Sequence, residues 1–229
     1  MSESLKLLSS MATRLPLGEL CGAYQRSTGL RVDLEAVGGV DAAQRVQAGE
    51  RFDVVVLASP VIDQLTSEGH LLAGSRLDLV RSGVAVAVRA GATRPSIDTE
   101  AALKAAVLAA PTVGYSTGPS GQHLIKVFER WGILHQVRDR IVQARPGIPV
   151  GQLVAEGQVA LGFQQLSELL PLAGIEILGL LPAAVRVLTT FSGGVASRSM
   201  RPDEARSVLA FMASPEFAPL KQRYGMQEA

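Results

Sequence analysis

Strand-like and helix-like runs alternate along this chain almost from end to end, and that rhythm restricts it to parallel strands joined by crossover helices. Four of the joints share a second trait. The apolar run 5–8 breaks into Ser9-Ser10, 54–57 into Ser59, 113–115 into 116–121, and 159–163 into Gln164-Gln165. Each joint places small hydroxyl, glycine or amide residues where a helix-like run begins. The first backbone N–H groups of a helix have no intrahelical acceptor, and the positive end of the helix dipole lies there. Such ends close around small anions, so the pattern predicts an anion-binding cleft.

Residues 5–8 form a strand, and 15–26 carry apolar side chains at 15, 17, 20, 23 and 24, a helical spacing ended by Gly29. Residues 31–36 alternate as a strand, 41–48 form a helix closed by Gly49, 52–57 a buried strand, and 61–68 a helix closed by Gly69. A second half opens at Gly83 with the β-branched strand 84–88. It continues with a helix at 99–110, a strand at 112–115, a helix at 121–131, a strand at 140–144, a helix at 150–156 and a strand at 159–163. Residues 180–187 and 189–196 read as a return, broken at Ser192-Gly193-Gly194, before helices at 202–212 and 215–224. Crossovers near 81–84 and 185–191 divide the chain into lobe I, residues 1–82 plus 190–229, and lobe II, residues 83–189. A cleft between two lobes is the natural result of that order.

Composition excludes several classes. With 47% hydrophobic but only 4% aromatic residues, the core must be aliphatic. The net charge of +1 and the scattered basic residues leave out the electrostatic footprint of a nucleic-acid binder. No apolar run reaches the roughly 18 residues of a membrane span, since 175–187 is cut by Gly179 and Pro182. Residues 1–6 carry no basic segment leading into an apolar stretch, so the expectation is a cytoplasmic protein without a signal peptide. The lone Cys21 rules out an internal disulfide framework. Three histidines, at 70, 123 and 135, have no Cys or carboxylate at ligand spacing, so no metal site is written. Neither a phosphate loop, a nucleophile elbow nor a dinucleotide fingerprint occurs, and no cofactor is implied.

Over nearly its whole length the chain resembles the molybdate-binding-like branch of the type 2 periplasmic binding proteins, the solute receptors of ABC transporters. Ser9-Ser10-Met11 stands where that family opens its first helix with a Ser. Gln44-Arg45-Val46-Gln47-Ala48-Gly49 leading to Phe52-Asp53-Val54-Val55 is similar to its helix-Gly-x-x-x-Asp-Val segment, and Ala58-Ser59-Pro60 to its Ser-Ala-Asp turn. Val154-Ala155-Glu156-Gly157-Gln158-Val159-Ala160-Leu161-Gly162-Phe163 is similar to the family's helix, Glu-x-Gly, strand unit that ends at the ligand. The resemblance implies a two-lobed α/β fold, each lobe a mostly parallel sheet flanked by helices, with the ligand in the cleft between lobes. Departures concentrate at the lining. Gly38-Gly39-Val40 replaces a second Ser, Gln165 replaces a ligand-contacting Tyr, and Ser116-Thr117-Gly118-Pro119-Ser120-Gly121 replaces a Pro-x-Gly helix start. Amides and hydroxyls suit planar oxygens and glycines leave room, which argues for a carboxylate larger than molybdate. The same residues, 115–121 and 162–169 above all, also resemble aconitate isomerases, enzymes of this receptor fold that move a double bond in a tricarboxylate.

The candidate ligand contacts are Ser9, Ser10, Gly38, Gly39, Ser59, Tyr115, Ser116, Thr117, Ser120, Gly121, Arg145, Gln164 and Gln165. Each has a plainer reading. Ser10 and Ser59 serve as N-caps, with Pro60 at the first helical position; Gly38-Gly39 serves as a loop tip; 116–121 serves as a turn; the glutamines are satisfied loop amides. Asp41 reads as a helix cap. Arg145 is preferred over Arg14 and Arg186 as the cation for a carboxylate because its strand ends at the cleft. For catalysis the candidates are His123, Ser120 and Gln165. A helix N-terminus disfavours protonated imidazole, which leaves His123 neutral and able to accept a proton.

Three functions compete. An isomerase would remove a proton beside a carboxylate, hold the resulting charge on helix N-termini and return the proton two carbons away. A non-catalytic solute-binding protein of molybdate-receptor type would close on an anion for an ABC permease, a partner available only if the chain is exported. A ligand-sensing regulator domain would need a helix-turn-helix, and none accompanies this one. The expected partner in every case is a small anion, with no nucleic acid and no membrane insertion.

Overall fold

The computed structural model of the chain describes residues 4–145 and 147–229. Met1, Ser2 and Glu3, on which the reading of a leaderless start rests, and Pro146 lie outside them. β1 (Leu5–Ser10) runs through a single 3-10 turn at Met11–Thr13 into α1 (Arg14–Thr28). Gly29 ends that helix at a left-handed φ of 76°, its N–H on the Gln25 carbonyl. β2 (Val32–Val37), α2 (Gly39–Gln47), β3 (Val54–Ala58) and α3 (Ser59–Ser67) continue the alternation. β4 (Leu77–Arg89) comes next as one 13-residue strand. Only its apolar part, 84–88, is legible in sequence, because Leu77 and Asp78 are exposed and mask the start.

Thr99 caps α4 (Glu100–Ala109) by accepting the Ala102 N–H at 3.1 Å. Then come β5 (Val113–Tyr115), α5 (Pro119–Arg130), α6 (Leu134–Val137), β6 (Ile141–Gln143), α7 (Val150–Ala155), β7 (Leu161–Gln165) and α8 (Leu166–Leu169). β8 (Ile175–Leu180), β9 (Leu188–Val195), α9 (Pro202–Ala213), α10 (Ala218–Arg223) and β10 (Met226–Gln227) complete the order.

Two compact units result, one containing the chain up to Ser82 together with Thr189–Ala229, the other Gly83–Leu188. In unit 1 the strand order is β2-β1-β3-β9-β4, with β10 pairing β4. β2, β1 and β3 are parallel, and β9 is antiparallel to β3. Alternation along the strands sends Leu5, Leu7, Val54 and Val56 to one face, under α1 and α9. Leu8, Val55 and Leu57 go to the other, under α2 and α3. Each fully buried Leu or Val contributes about 1.5–3 kcal/mol. Burial on both faces is what a parallel sheet requires.

In unit 2, β6, β5 and β7 are parallel, and β4 runs antiparallel to β7 and β8. One face carries Val84, Val86, Val113 and Phe163 against Leu103 of α4 and Leu124 and Phe128 of α5. The other admits α7 very closely. A Cβ on Gly162 would stand 2.5 Å from Val154 Cγ2 and 3.1 Å from Val150 Cγ1.

Two sequence expectations need correction. Residues 180–187 are not a strand: pairing ends with β8, and the chain then makes a 3-10 turn at Ala183–Val185. Proline at 182 removes a ladder donor and ends the pairing. Nor do Ser192, Gly193 and Gly194 break the return, since β9 passes straight through them. Gly193 is small because α9 packs onto it, and a Cβ there would overlap the Leu209 side chain. Among the described residues no helix is long and apolar enough to cross a membrane.

Gly162→Ala tests the α7 contact. Overpacking of this kind costs about 1–3 kcal/mol, so the urea midpoint falls while the slope is unchanged, and a second change, Val154→Ala, recovers part of the loss. An unaltered midpoint in the single variant would contradict the close approach.

Candidate functional site

Parallel register decides where the predicted residues lie. In unit 1, Ser10 pairs with Val37 and Ser9 with Val56, so the ends of β1, β2 and β3 stand side by side at one carboxyl edge. Open α/β sheets bind ligands at that edge. Ser9 is fully buried, its hydroxyl donating to the Ser10 carbonyl at 3.1 Å. Ser10 Oγ lies 3.4 Å from Thr13 Oγ1, which donates to the Ser10 carbonyl at 3.2 Å. Ser10 therefore sits at the cap position of the 3-10 turn but makes no side-chain cap bond. Gly38 is the cap residue of α2 and Gly39 its first residue, so the pair starts a helix rather than forming a loop tip. Gly39 approaches Ser10: a Cβ on it would stand 3.9 Å from Ser10 Cβ.

Ser59 is the first residue of α3 rather than its cap, which is Ala58. Its hydroxyl is committed to β9, 3.0 Å from the Thr190 carbonyl and 2.6 Å from Ser192 Oγ. Ser192 in turn donates to Asp78 at 2.5 Å, and this bond, with help from Arg76, holds the Asp78 carboxyl below its ordinary range. Any donation to an anion at this joint falls to first-turn backbone N–H groups.

In unit 2, Tyr115 pairs with Gln143 and with Phe163, so the ends of β5, β6 and β7 also share one carboxyl edge. Tyr115, Ser116 and Thr117 are half-buried and Ser120 is buried. α5 starts at Pro119, capped by Gly118, which puts Ser120 and Gly121 inside its first turn. The hydroxyls of Ser116 and Ser120 lie 3.2 Å apart. Gly121 is a glycine because of this chain's own backbone: a Cβ there would overlap the Ser116 carbonyl oxygen and stand 2.8 Å from the Tyr115 ring. Gln165 is buried and is the cap residue of α8. Arg145 is exposed, two residues past β6.

One of the candidates points elsewhere. Gln164 is buried in structure-holding bonds, accepting the Gly151 N–H at 2.9 Å and donating to Glu168 Oε2 at 2.8 Å. Strand alternation turns it to the α7 face, away from Gln165. α5 starts two residues earlier than Gly121, so His123 is its fifth residue, and its Nε2 lies 3.3 Å from the Val185 carbonyl.

Glu168 escaped the sequence reading, although an acid inside the apolar run 166–170 is a visible signal. Burial pushes its carboxyl up to about 7, against a smaller opposing effect of the Gln164 amide. Burial likewise pushes the Cys21 thiol up to about 12, which makes it unreactive. A surface hollow lies at the opposite, amino end of the unit 1 strands, bordered by Lys6, Asp33, Glu35 and Glu50. Its acids, already bonded to Arg31 and Arg45, do not suit an anion. Among the described residues no group of three His, Cys, Asp or Glu is placed to hold a metal ion.

Two mostly parallel units whose strand ends carry hydroxyls, amides and helix starts define a solute-binding fold. The chain belongs to the bacterial extracellular solute-binding protein family, whose model matches residues 5–227. An aconitate isomerase from a Pseudomonas species is 35% identical over 232 residues, covering 98% of this chain and 87% of that protein. The periplasmic molybdate-binding protein of Azotobacter vinelandii superposes with a TM-score of 0.80 at 20% identity, covering 97% of this chain and 98% of that one. The tungstate ABC transporter protein of Geobacter sulfurreducens gives 0.78 at 17% identity, covering 97% and 99%. At such identities the likeness to the last two establishes the fold, that of the type 2 periplasmic binding proteins.

Glu168 yields a prediction about pH. Its folded-state pKa lies above the unfolded value of 4.5, so its contribution to stability is fully present below pH 4.5 and is lost as pH rises through about 7. Urea unfolding at pH 5 and pH 8 should show a steeper loss in the wild type than in Glu168→Gln, by on the order of 1–3 kcal/mol. Parallel behaviour of the two proteins would contradict the burial of this acid.

Proposed function

We propose that this solute-binding fold takes a small tricarboxylate at the carboxyl edge of its parallel strands and isomerises it, as an aconitate isomerase does. The observation that carries the reading is the identity with such an enzyme along nearly the whole chain. The residues at the edges support it. Helix starts at Gly39, Ser59 and Pro119, the hydroxyls of Ser10, Ser116 and Ser120, and the Gln165 amide are neutral donors suited to carboxylate oxygens.

The reaction moves a proton and a double bond. A C–H bond breaks at the methylene beside a carboxylate, and its electron pair becomes the new C=C. The former π pair takes a proton two carbons away, so no oxidant or reductant is consumed. Negative charge spreads onto the carboxylates in between, where preorganised donors stabilise it more than they stabilise the bound substrate. In this reading Ser120 and Gln165 donate to that charge. His123, its Nε2–H directed to the Val185 carbonyl, keeps Nδ1 as the proton acceptor.

Incubation of the pure protein with trans-aconitate, monitored by proton NMR, should show cis-aconitate accumulating. Ser120→Ala and Gln165→Ala should each slow turnover on the order of 10²-fold. Absence of turnover together with thermal stabilisation by molybdate or tungstate would contradict the enzyme. That result favours a non-catalytic oxyanion-binding component working with an ABC transporter, a reading supported by the fold shared with molybdate- and tungstate-binding proteins.

A further inference from the structure

A line of hydrogen-bonded side chains runs from the surface of unit 1 to the start of α3. Asp78, exposed near the beginning of β4, accepts from Ser192 Oγ at 2.5 Å. Ser192, fully buried in β9, stands 2.6 Å from Ser59 Oγ, and Ser59 is the first residue of α3. Arg76 meets the same Asp78 oxygen, Oδ1, through Nε at 3.1 Å and Nη2 at 2.9 Å. Its Nη1 reaches both carboxylate oxygens of Asp63 in α3, at 2.7 and 2.8 Å.

The hydrogens of this line have one consistent arrangement. Asp78 is a surface carboxylate beside a guanidinium and is held ionised, so it only accepts. Ser192 therefore gives its single hydrogen to Asp78. Two hydroxyl oxygens 2.6 Å apart need a hydrogen between them, and Ser192 has none left, so Ser59 supplies it. The Thr190 carbonyl, 3.0 Å from Ser59 Oγ, shares that same hydrogen at most. Both hydroxyls are thus turned toward Asp78, and Ser59 keeps no hydrogen for a ligand. What remains on its oxygen can only accept.

That polarity bears on which anion fits. Ser59 stands at the strand end where the proposed function places a carboxylate, and Ala58 just before it shares a buried cluster with Ala12 of the joint after β1. First-turn N–H groups of α3 suit a carboxylate, whose two oxygens lie in one plane. A tetrahedral dianion carries four oxygens and needs donors on several sides, so a neighbouring oxygen that offers only lone pairs works against it. We propose that Asp78, acting through Ser192, makes the Ser59 hydroxyl an acceptor and so selects a carboxylate over a tetrahedral oxyanion at the start of α3. Asp78 is a positioning residue in this role, acting on the ligand only through the two serines. The proposal rests on the anion-binding part of the function above and not on isomerisation.

Selectivity is the readout, because a loosened α3 would weaken both anions alike. Calorimetric titration gives the ratio of the dissociation constants of molybdate and tricarballylate, the latter having three carboxylates and no double bond to move. In Asp78→Ala, Ser192 turns its hydrogen to Ser59, and the hydrogen of Ser59 is released. The ratio should then shift toward molybdate by at least about 10-fold, the effect of one hydrogen bond to a charged group. Ser192→Ala, which removes the acceptor of Ser59 and leaves the ion pairs in place, should shift it the same way. Asp78→Asn keeps an amide oxygen facing two donors, Ser192 and Arg76, and should stay within roughly 3-fold of the wild type. Arg76→Met, which cuts the link to Asp63 without turning the hydroxyls, should do the same.

A wild-type ratio in both Asp78→Ala and Ser192→Ala overturns the proposal, and tricarballylate binding that persists there leaves the carboxylate reading standing. An equal shift in Arg76→Met also overturns it, because the effect is then only the anchoring of α3. A wild type that prefers molybdate, with a further shift toward molybdate in Asp78→Ala, upholds the hydroxyl line and removes the tricarboxylate reading. If neither anion binds the wild type, both fall.

Discussion

Parallel pairing is the constraint on which the site depends. Neighbouring parallel strands end at the same edge, so the joints after β1, β2 and β3 meet in unit 1 and those after β5, β6 and β7 meet in unit 2. Residues scattered over most of the sequence thereby reach two short rims. Helices must cover both faces of such a sheet, and each starts where a strand has just ended. The concentration of helix N-termini is therefore a consequence of topology, while the residue types placed there are particular to this chain.

Several of those residues have a structural cause. Gly121 is explained by the Ser116 carbonyl, Gln164 by the Gly151 N–H and Glu168, and the Ser59 hydroxyl by β9. Ser10, Ser120 and Gln165 are the side-chain donors at the strand ends on which the proposed function draws. Glu168 differs from the other carboxylates: its surroundings push it up to about 7, with the Gln164 amide opposing.

Much of the fold was legible because its signals are local. Gly29, Gly49 and Gly69 close helices at left-handed φ, and runs such as 54–57 are too apolar to be anything but buried strand. Longer-range causes were not legible. The start of β4 is hidden by its exposed residues, and Gly193 looks like a breaker until Leu209 is seen against it. At the site, a serine before a proline reads as a cap, yet Ser59 is one residue inside the helix and bonded to a strand 131 residues away in sequence.

The central claim of the proposed function is that a carboxylate anion engages the carboxyl ends of the parallel strands. An amide chemical-shift titration with trans-aconitate tests it most directly. Amides at the strand ends, those of Ser10, Gly39 and Ser59 and those of Ser120, Gly121 and Gln165, should move with saturation. Shifts gathered instead around Lys6, Asp33 and Glu50 at the amino edge would contradict it.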